Sequence, residues 1–253
     1  DDPQVAVARR HRKGVAAGRV GHGREPRVRP VPRADLRPGN GLAETGSGTT
    51  TLRAAIEEAN ALAGADTIEF APALRGLTLS VNWNPIDFWY GPSAFPAIAS
   101  ELTIDGGQIT IAKTTSTPMR AFYVSGGTTG FGAGHLAAAT VTIRNLTIRD
   151  FFARGGFGGD NGYATGGGGL GAGGAIYNQG DLTLEGVGLI SNRAEGGRGG
   201  NANNWDRHGA TGGGGMGGNG GRNDLTYGGS GGGGMGGDGG RTDSWNARLG
   251  GAG

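Results

Sequence analysis

Aspartate carboxylates in the middle of this chain are the groups whose chemistry could cut a polysaccharide. The candidates are Asp105, Asp150, Asp160 and Asp181, with Arg149 and Arg154 close to two of them in sequence. Glycoside hydrolysis needs two carboxylates roughly 5–10 Å apart across the scissile bond. Asp105 and Asp150 are also typical turn residues, because aspartate bonds to its own turn and tolerates a left-handed backbone. The sequence favours the turn role, and we assign no residue as catalytic.

A cluster of aromatic residues in the segment 82–96 is the candidate ligand-binding site. The segment, NWNPIDFWYGPSAFP, contains Trp83, Phe88, Trp89, Tyr90 and Phe95. Aromatic rings on a loop can stack on the apolar C–H faces of sugar rings. Trp83, Trp89 and Tyr90 are therefore the candidate glycan-binding residues. The other interpretation, which the sequence favours, is that the rings fill the hydrophobic core beneath a cap of the fold.

Composition excludes several other classes of protein. The chain has 59 glycines among 253 residues, about three times the ordinary share of roughly 7%. They do not recur at every third position, which excludes a collagen helix. The absence of cysteine excludes disulfides and thiolate metal sites, and the four scattered histidines have no partners at ligand spacing. No apolar run approaches the roughly 18 residues of a transmembrane helix, so none is predicted.

The net charge of +2 conceals a division of the chain into a basic leader and an acidic body. Residues 1–40 contain ten basic and four acidic side chains, a net charge of +6, which leaves −4 for the rest. A basic arm could bind nucleic acid, but this one lacks the aromatic residues that grip single strands. We expect a disordered or foreign leader, without helical or strand periodicity, and no nucleic-acid partner.

One helix and a series of short strands must position these residues. Apolar residues at helical spacing predict a helix over 51–62, with Thr51 as its N-cap and Gly64 after its end. The predicted strands, in which Leu, Ile, Val or Phe alternate with polar residues, are 77–81, 102–106, 109–112, 121–126, 141–150, 175–178 and 182–190. Short strands separated by Asn and Gly turns predict an all-β chain folded as a parallel β-helix. A β-sandwich, the competing fold, favours hairpin turns and longer strands.

Glycine-rich tracts follow a pattern of their own, [TS]GGGG[LM]G[GA]xGG. It occurs at 211–221 and 230–240, starting 19 residues apart, and in a shortened form at 165–174. This spacing is close to one coil of a stacked repeat, although no strand follows the later copies. We interpret the tracts as loops projecting from the turns, with ordered polyglycine packing as the alternative. Calcium binding is a further alternative, but the aspartate step of its glycine-rich motif is broken in both copies, so we predict no cofactor.

Two stretches carry a resemblance to a known family. TTTLRAAIEEANALAGADTIEFAPAL, followed by LTIDG, resembles the N-terminal cap and first coils of bacterial secreted right-handed parallel β-helix proteins. GGAIYNQGDLTLEGVGLISN is similar to their repeating coil, GGGIYNxGxLTLxNxxxxxN. The resemblance covers about residues 49–192 and implies an adhesin-like or polymorphic outer-membrane-type protein. Some enzymes with this fold act on polysaccharides through clustered carboxylates, which gives the alternative function.

The sequence therefore predicts an all-β chain built as a right-handed single-stranded parallel β-helix with a short N-terminal cap helix and glycine-rich loops. Its segments are a leader (1–40), the cap helix and first strand (41–75), β-helix coils with the aromatic insert (76–192), and a truncated glycine-rich repeat region (193–253). We expect a non-enzymatic structural or adhesin-like scaffold, secreted or at the cell surface, whose partners are glycans or other cell-surface proteins. A polysaccharide lyase or glycoside hydrolase is the alternative, which leaves enzymatic activity open.

Overall fold

The computed structural model describes residues 8–12, 51–86, 90–127, 136–160, 165–201, 211, 213–214, 216, 219–221 and 238–239. Within them the chain consists mainly of strands, and nearly all strand pairs are parallel. The strand-rich class predicted from the sequence is thereby confirmed. No helix among these residues combines the length and apolar character needed to cross a membrane.

The elements follow one another in a simple order, with a single α-helix near the start. They are β1 (Ala8–Arg12), α1 (Leu52–Ala61), β2 (Asp66–Phe70), a 3-10 turn (Pro72–Leu74), β3 (Thr78–Val81), β4 (Glu101–Lys113), β5 (Phe122–Val124), β6 (Thr140–Arg149), β7 (Phe152–Arg154), β8 (Ile176–Asn178), β9 (Asp181–Glu185), β10 (Gly188–Ile190) and β11 (Arg193–Glu195).

Helix α1 begins and ends close to its predicted limits. The Thr51 hydroxyl accepts a hydrogen bond of 2.8 Å from the Ala54 amide, which satisfies one of the donors that a first helical turn leaves unpaired. Gly64 follows the helix with φ of +110°, a conformation that glycine adopts without steric cost. Asn60 fastens the helix to the chain before β4, donating to the Ala97 carbonyl at 2.7 Å and accepting from the Ala99 amide at 2.9 Å.

The largest sheet is built by parallel pairing of strands that are far apart in sequence. Strand β2 pairs with β4, and β4 pairs with β6. The two halves of β6 then pair with β9 and β10, and β3 pairs with the second half of β4. Between β4 and β6, paired residues are 39 positions apart in the first half and 37 apart in the second, and they are 41 apart in the next step. The 19-residue spacing of the glycine pattern is therefore not the interval between paired strands.

There are two smaller parallel sheets: β7 pairs with β11 at the same interval of 41 positions, whereas β5 pairs with β8 at an interval of 54. Strands β7 and β11 are three residues long, and their sequences, FAR and RAE, have no apolar alternation. The sequence did not predict them, because their position follows from the pairing of neighbouring strands and not from a local pattern. The separately predicted strands 102–106 and 109–112 form one strand, β4, whose register shifts between Asp105 and Ile109.

Apolar side chains at paired positions form columns that make up the core. Ile68 lies beside Ile104, Ile104 beside Ile143, and Ile143 beside Leu184. The three isoleucines are at most 2% exposed, whereas Leu184 is 41% exposed. The core is therefore continuous through β2, β4 and β6 and opens to solvent at the last strands.

The basic leader contains one strand that its composition did not predict. Strand β1 pairs antiparallel with β2, with Ala8 opposite Phe70 and Arg12 opposite Asp66. This corrects the expectation of a leader without strand structure for residues 8–12. The pairing extends the sheet at the edge of β2. An edge strand has unpaired backbone N–H and C=O groups, and a neighbouring strand such as β1 can pair with them. The rest of 1–40 lies outside the described residues.

Candidate functional site

Asp105 stabilises a turn within β4. Its Oδ2 accepts a hydrogen bond from Arg144 Nε at 2.8 Å, and its Oδ1 accepts from Asn145 Nδ2 and from the Gly107 amide, both at 3.1 Å. Burial raises the pKa of this carboxyl, but the bonds from Asn145, Gly107 and Arg144 outweigh it, so the pKa lies below its ordinary value. An ionised carboxylate with both oxygens occupied fits the turn role.

Asp150 lies at a different turn from Asp105. It directly follows β6 with φ of +65° and forms an ion pair of 2.7 Å with Arg149. Asp105 is paired with Arg144, which precedes the second half of β6, whereas Asp150 follows that half. That half, residues 146–149, spans about 13 Å at the usual rise of a strand. The two carboxylates are thus farther apart than glycoside hydrolysis allows.

The remaining two candidate aspartates have separate surroundings. Asp160 accepts a hydrogen bond of 2.7 Å from the Asn201 amide and contacts Arg198 at 3.5 Å. Asp181 begins β9, beside Thr140. The described carboxylates therefore do not assemble into the pair that a glycoside hydrolase requires.

Two of the three predicted sugar-stacking residues pack against the core. Trp83 is half-buried; its indole Nε1 donates to the Ala94 carbonyl at 3.1 Å, and its ring meets Phe95 edge-on with centroids 5.9 Å apart. Tyr90 is 3% exposed, and a ring this buried offers no face to a sugar. The structure corrects the prediction for Tyr90 and favours the packing alternative. Trp89 lies outside the described residues.

Tyr90 belongs to a buried cluster around Arg120. The pairing of β5 with β8 sets Tyr123 beside Tyr177, and the Tyr123 ring stacks on Tyr90 at 4.4 Å and on Tyr177 at 5.7 Å between centroids. Arg120, 2% exposed, donates through Nη1 to the Tyr90 carbonyl and lies 5.2 Å from the centroid of Tyr177. Burial lowers the pKa of Arg120 to about 10, so the guanidinium is cationic at neutral pH. The Tyr177 ring and the Tyr90 carbonyl contact this buried cation, whereas its Nε has no hydrogen-bond partner among the described residues. These contacts indicate a packing role.

This cluster gives a prediction for the alkaline titration of the tyrosines. Burial raises the pKa of Tyr90 to about 12, whereas an unfolded tyrosine ionises near 10. The folded chain therefore keeps the Tyr90 proton between these values, and this contribution to stability is lost as the pH rises through 12. In a titration followed by tyrosinate absorbance, Tyr90→Phe should remove a component near pH 12. Far-UV circular dichroism in the same samples separates ionisation from unfolding, and loss of a component near pH 10 would contradict the assignment.

Glycine-rich segments pack directly against one another beyond β7 and β11. We call segments 155–160, 166–171 and 196–201, with the described residues of 211–221, the glycine layer. Gly169 N donates to the Gly156 carbonyl at 2.8 Å, and Gly197 N donates to the Gly169 carbonyl at 2.9 Å. Donors in each segment are three positions apart, as in the pairs Gly155 and Gly158, Gly166 and Gly169, and Gly197 and Gly200. This interval is the period of the extended polyproline II helix.

Backbones in the glycine layer lie too close together for side chains. A Cβ atom on Gly168 would lie 1.7 Å from the carbonyl oxygen of Gly197, and one on Gly200 would lie 1.8 Å from that of Gly159. At these two positions any other residue would push the segments apart and break their hydrogen bonds. The described tracts are therefore ordered through tertiary packing, which corrects their interpretation as projecting loops.

Asn219 and Asp238, the equivalent polar positions of two glycine copies, bond to neighbouring backbone. Asn219 Oδ1 accepts from the Phe157 amide at 2.8 Å, and Asp238 Oδ1 accepts from the Asn219 amide at 2.6 Å. The 19-residue spacing of the glycine pattern is thus the sequence separation between two glycine segments that contact each other. Within the described part of the chain, no three His, Cys, Asp or Glu side chains form a group that could hold a metal ion. Asp224 of the calcium-like motif lies outside it.

A row of alternating arginines and phenylalanines runs from β7 and β11 into the glycine layer. Arg193 Cζ is 4.0 Å from the centroid of Phe152, and Arg154 Cζ is 5.9 Å from the same ring. The ring of Phe157 lies 4.8 Å from Arg154 Cζ and 5.2 Å from Arg198 Cζ. We call these five residues the arginine row. Its three arginines are exposed, while the ring faces hold their guanidinium groups in place.

Comparison of the chain with itself at an offset of 41 residues would have revealed the arginine row. FFARGGFGGD at 151–160 and NRAEGGRGGN at 192–201 share an alanine and two glycine pairs. Hydrogen bonds join Phe151 to Asn192 and Asp160 to Asn201, each pair 41 positions apart. The sequence analysis considered Arg154 only as a partner of carboxylates, because the two segments were not aligned.

No protein-family model, curated protein or solved structure matches this chain. The resemblance to secreted parallel β-helix proteins therefore rests on the cap and coil motifs alone and stays an expectation. The functional argument depends on the geometry of the sheets, the glycine layer and the arginine row.

Proposed function

We propose that the three parallel sheets are the faces of a right-handed parallel β-helix whose first coil is capped by α1. The proposal is supported by the return of the chain beside itself after 39 and then 41 residues. It is also supported by a recurring turn, since Asn145 and Gly186 follow equivalent strand positions with φ of +54° and +59°. A stacked repeat requires the same turn in successive coils. An experimental structure of the full chain would test the handedness.

We infer that this β-helix is a non-enzymatic scaffold, secreted or at the cell surface, that binds glycans or other cell-surface molecules. The arginine row carries the inference, because it is an exposed row of donors on the paired strands β7 and β11 and on the glycine segments that follow them. The separate surroundings of the four aspartates support a scaffold over a hydrolase. The cap and coil resemblance supports the extracellular location.

A glycan array and a cell-adhesion assay on the full chain test this function. We expect the folded chain to bind a subset of glycans and to retain cells on a coated surface, and the heat-unfolded chain to do neither. Absence of binding in both assays would contradict the function and leave a structural role only. Release of reducing ends from any bound polysaccharide would contradict the non-enzymatic assignment.

A further inference from the structure

We propose that the arginine row is a binding site for an acidic polysaccharide whose sugar rings carry carboxylates. This inference rests on the proposed function, since it names the ligand class and the surface that a glycan-binding scaffold would use. This site differs in location and in chemistry from the aromatic insert, which was the candidate glycan-binding site in the sequence.

The arginines of the row present guanidinium N–H donors to solvent. A cation over a ring uses the face of the guanidinium group, whereas its N–H donors lie in the guanidinium plane. The side chain of Arg193 is 62% exposed and that of Arg198 is 51% exposed. Planar, exposed donors of this kind can bind carboxylates through two parallel hydrogen bonds. The phenylalanine rings already restrict the arginine side chains, so these side chains lose less conformational entropy when a ligand binds.

Charge in this region is positive, unlike the rest of the body. Arg193 contacts Glu195 at 3.4 Å and Arg198 contacts Asp160 at 3.5 Å, while no described carboxylate contacts Arg154. The buried Lys113 adds a cation. Its pKa is lowered mainly by burial and, to a smaller extent, by the charge of Arg193. Residues 41–253 together carry −4. Within residues 41–253, an anionic polymer would therefore be attracted to this face in preference to the remaining surface.

The row fits a carboxylated glycan better than a nucleic acid. Proteins that bind single strands stack bases on exposed aromatic rings. Phe152 is 9% exposed and Phe157 is half-buried, and arginines lie over both rings, so neither phenylalanine is an exposed platform for a base. Adjacent guanidinium carbons share a ring and are no more than about 10 Å apart. Such a row can contact several sugar residues of one chain at the same time.

Binding of polygalacturonate, a uronate polymer, to the full chain provides the test. Arg154→Gln combined with Arg198→Gln removes two charges but keeps apolar stems over the rings, so folding is preserved. We expect affinity to fall about tenfold or more, since hydrogen bonds to charged groups are strong. Glu195→Gln, which removes an opposing charge, should increase the affinity. The matched control is Arg75→Gln, an exposed arginine that bonds to Gln108 away from the row.

Four results would overturn the inference in different ways. Unchanged uronate binding in the double variant would mean that the site lies elsewhere. Binding of neutral dextran but not of polygalacturonate would refute the ligand class. The proposed function would survive either result. Equal loss of single-stranded DNA and uronate binding would indicate a general polyanion site. Absence of binding to any glycan would refute the proposed function as well, which distinguishes the two failures.

Discussion

Gly168→Ala is expected to destabilise the glycine layer by on the order of 3 kcal/mol, since overpacking at a fixed backbone costs about this much. The new methyl carbon would lie 1.7 Å from the Gly197 carbonyl oxygen, and neither group is the end of a flexible side chain. Segments 166–171 and 196–201 must then separate, which breaks the bond from Gly197 N to the Gly169 carbonyl. Hydrogen exchange of the Gly197 and Gly200 amides should accelerate about a hundredfold.

Gly167→Ala is the matched control for this experiment. It adds the same methyl group one residue earlier, where no atom lies within 4 Å of the new carbon. We expect a neutral or slightly stabilising effect, up to about 1 kcal/mol, because alanine restricts the unfolded chain more than glycine does. Similar exchange rates in the two variants would contradict close packing of the glycine layer.

Local patterns in the sequence predict the elements whose structure is local. Helix α1 is identified by the spacing of Leu52, Ile56 and Ala59, and by its cap at Thr51, because helical contacts lie within a few residues. The main strands are identified by alternation of Ile or Leu with Thr. The turn role of Asp105 follows equally from the sequence, because the Gly107 amide that it binds is two residues away.

Contacts between distant segments decide the features that the sequence did not predict. The glycine layer depends on contacts between backbones of different segments, such as Gly168 with Gly197, 29 residues apart, and Gly200 with Gly159, 41 apart. Glycine composition alone is equally compatible with flexible loops. Burial of Tyr90 likewise depends on Tyr123 and Arg120, which other segments bring beside it. The arginine row was detectable only by aligning the chain with itself at the interval that the strands define.

Ile143→Ala is expected to lower the free energy of unfolding by about 2–5 kcal/mol, the usual cost of truncating a buried isoleucine. Ile143 is 0% exposed and lies between Ile104 and Leu184 in one column, so truncation leaves a cavity with neighbours on both sides. Urea denaturation measures the change, with the four tryptophans of the chain as fluorescent probes. Because each repeat packs only on its neighbours, the effect should be largest on hydrogen exchange in β4, β6 and β9.

Leu184→Ala makes a similar truncation in the same column, at its exposed end. Leu184 is 41% exposed, so less apolar surface is lost and solvent fills the space; we expect a cost below about 1 kcal/mol. Comparing Ile143→Ala with Leu184→Ala separates the effect of position in the column from the effect of truncating an aliphatic side chain. Equal costs for the two variants would mean that Leu184 is covered in solution, which would contradict an exposed last strand and make β9 an interior strand of the scaffold.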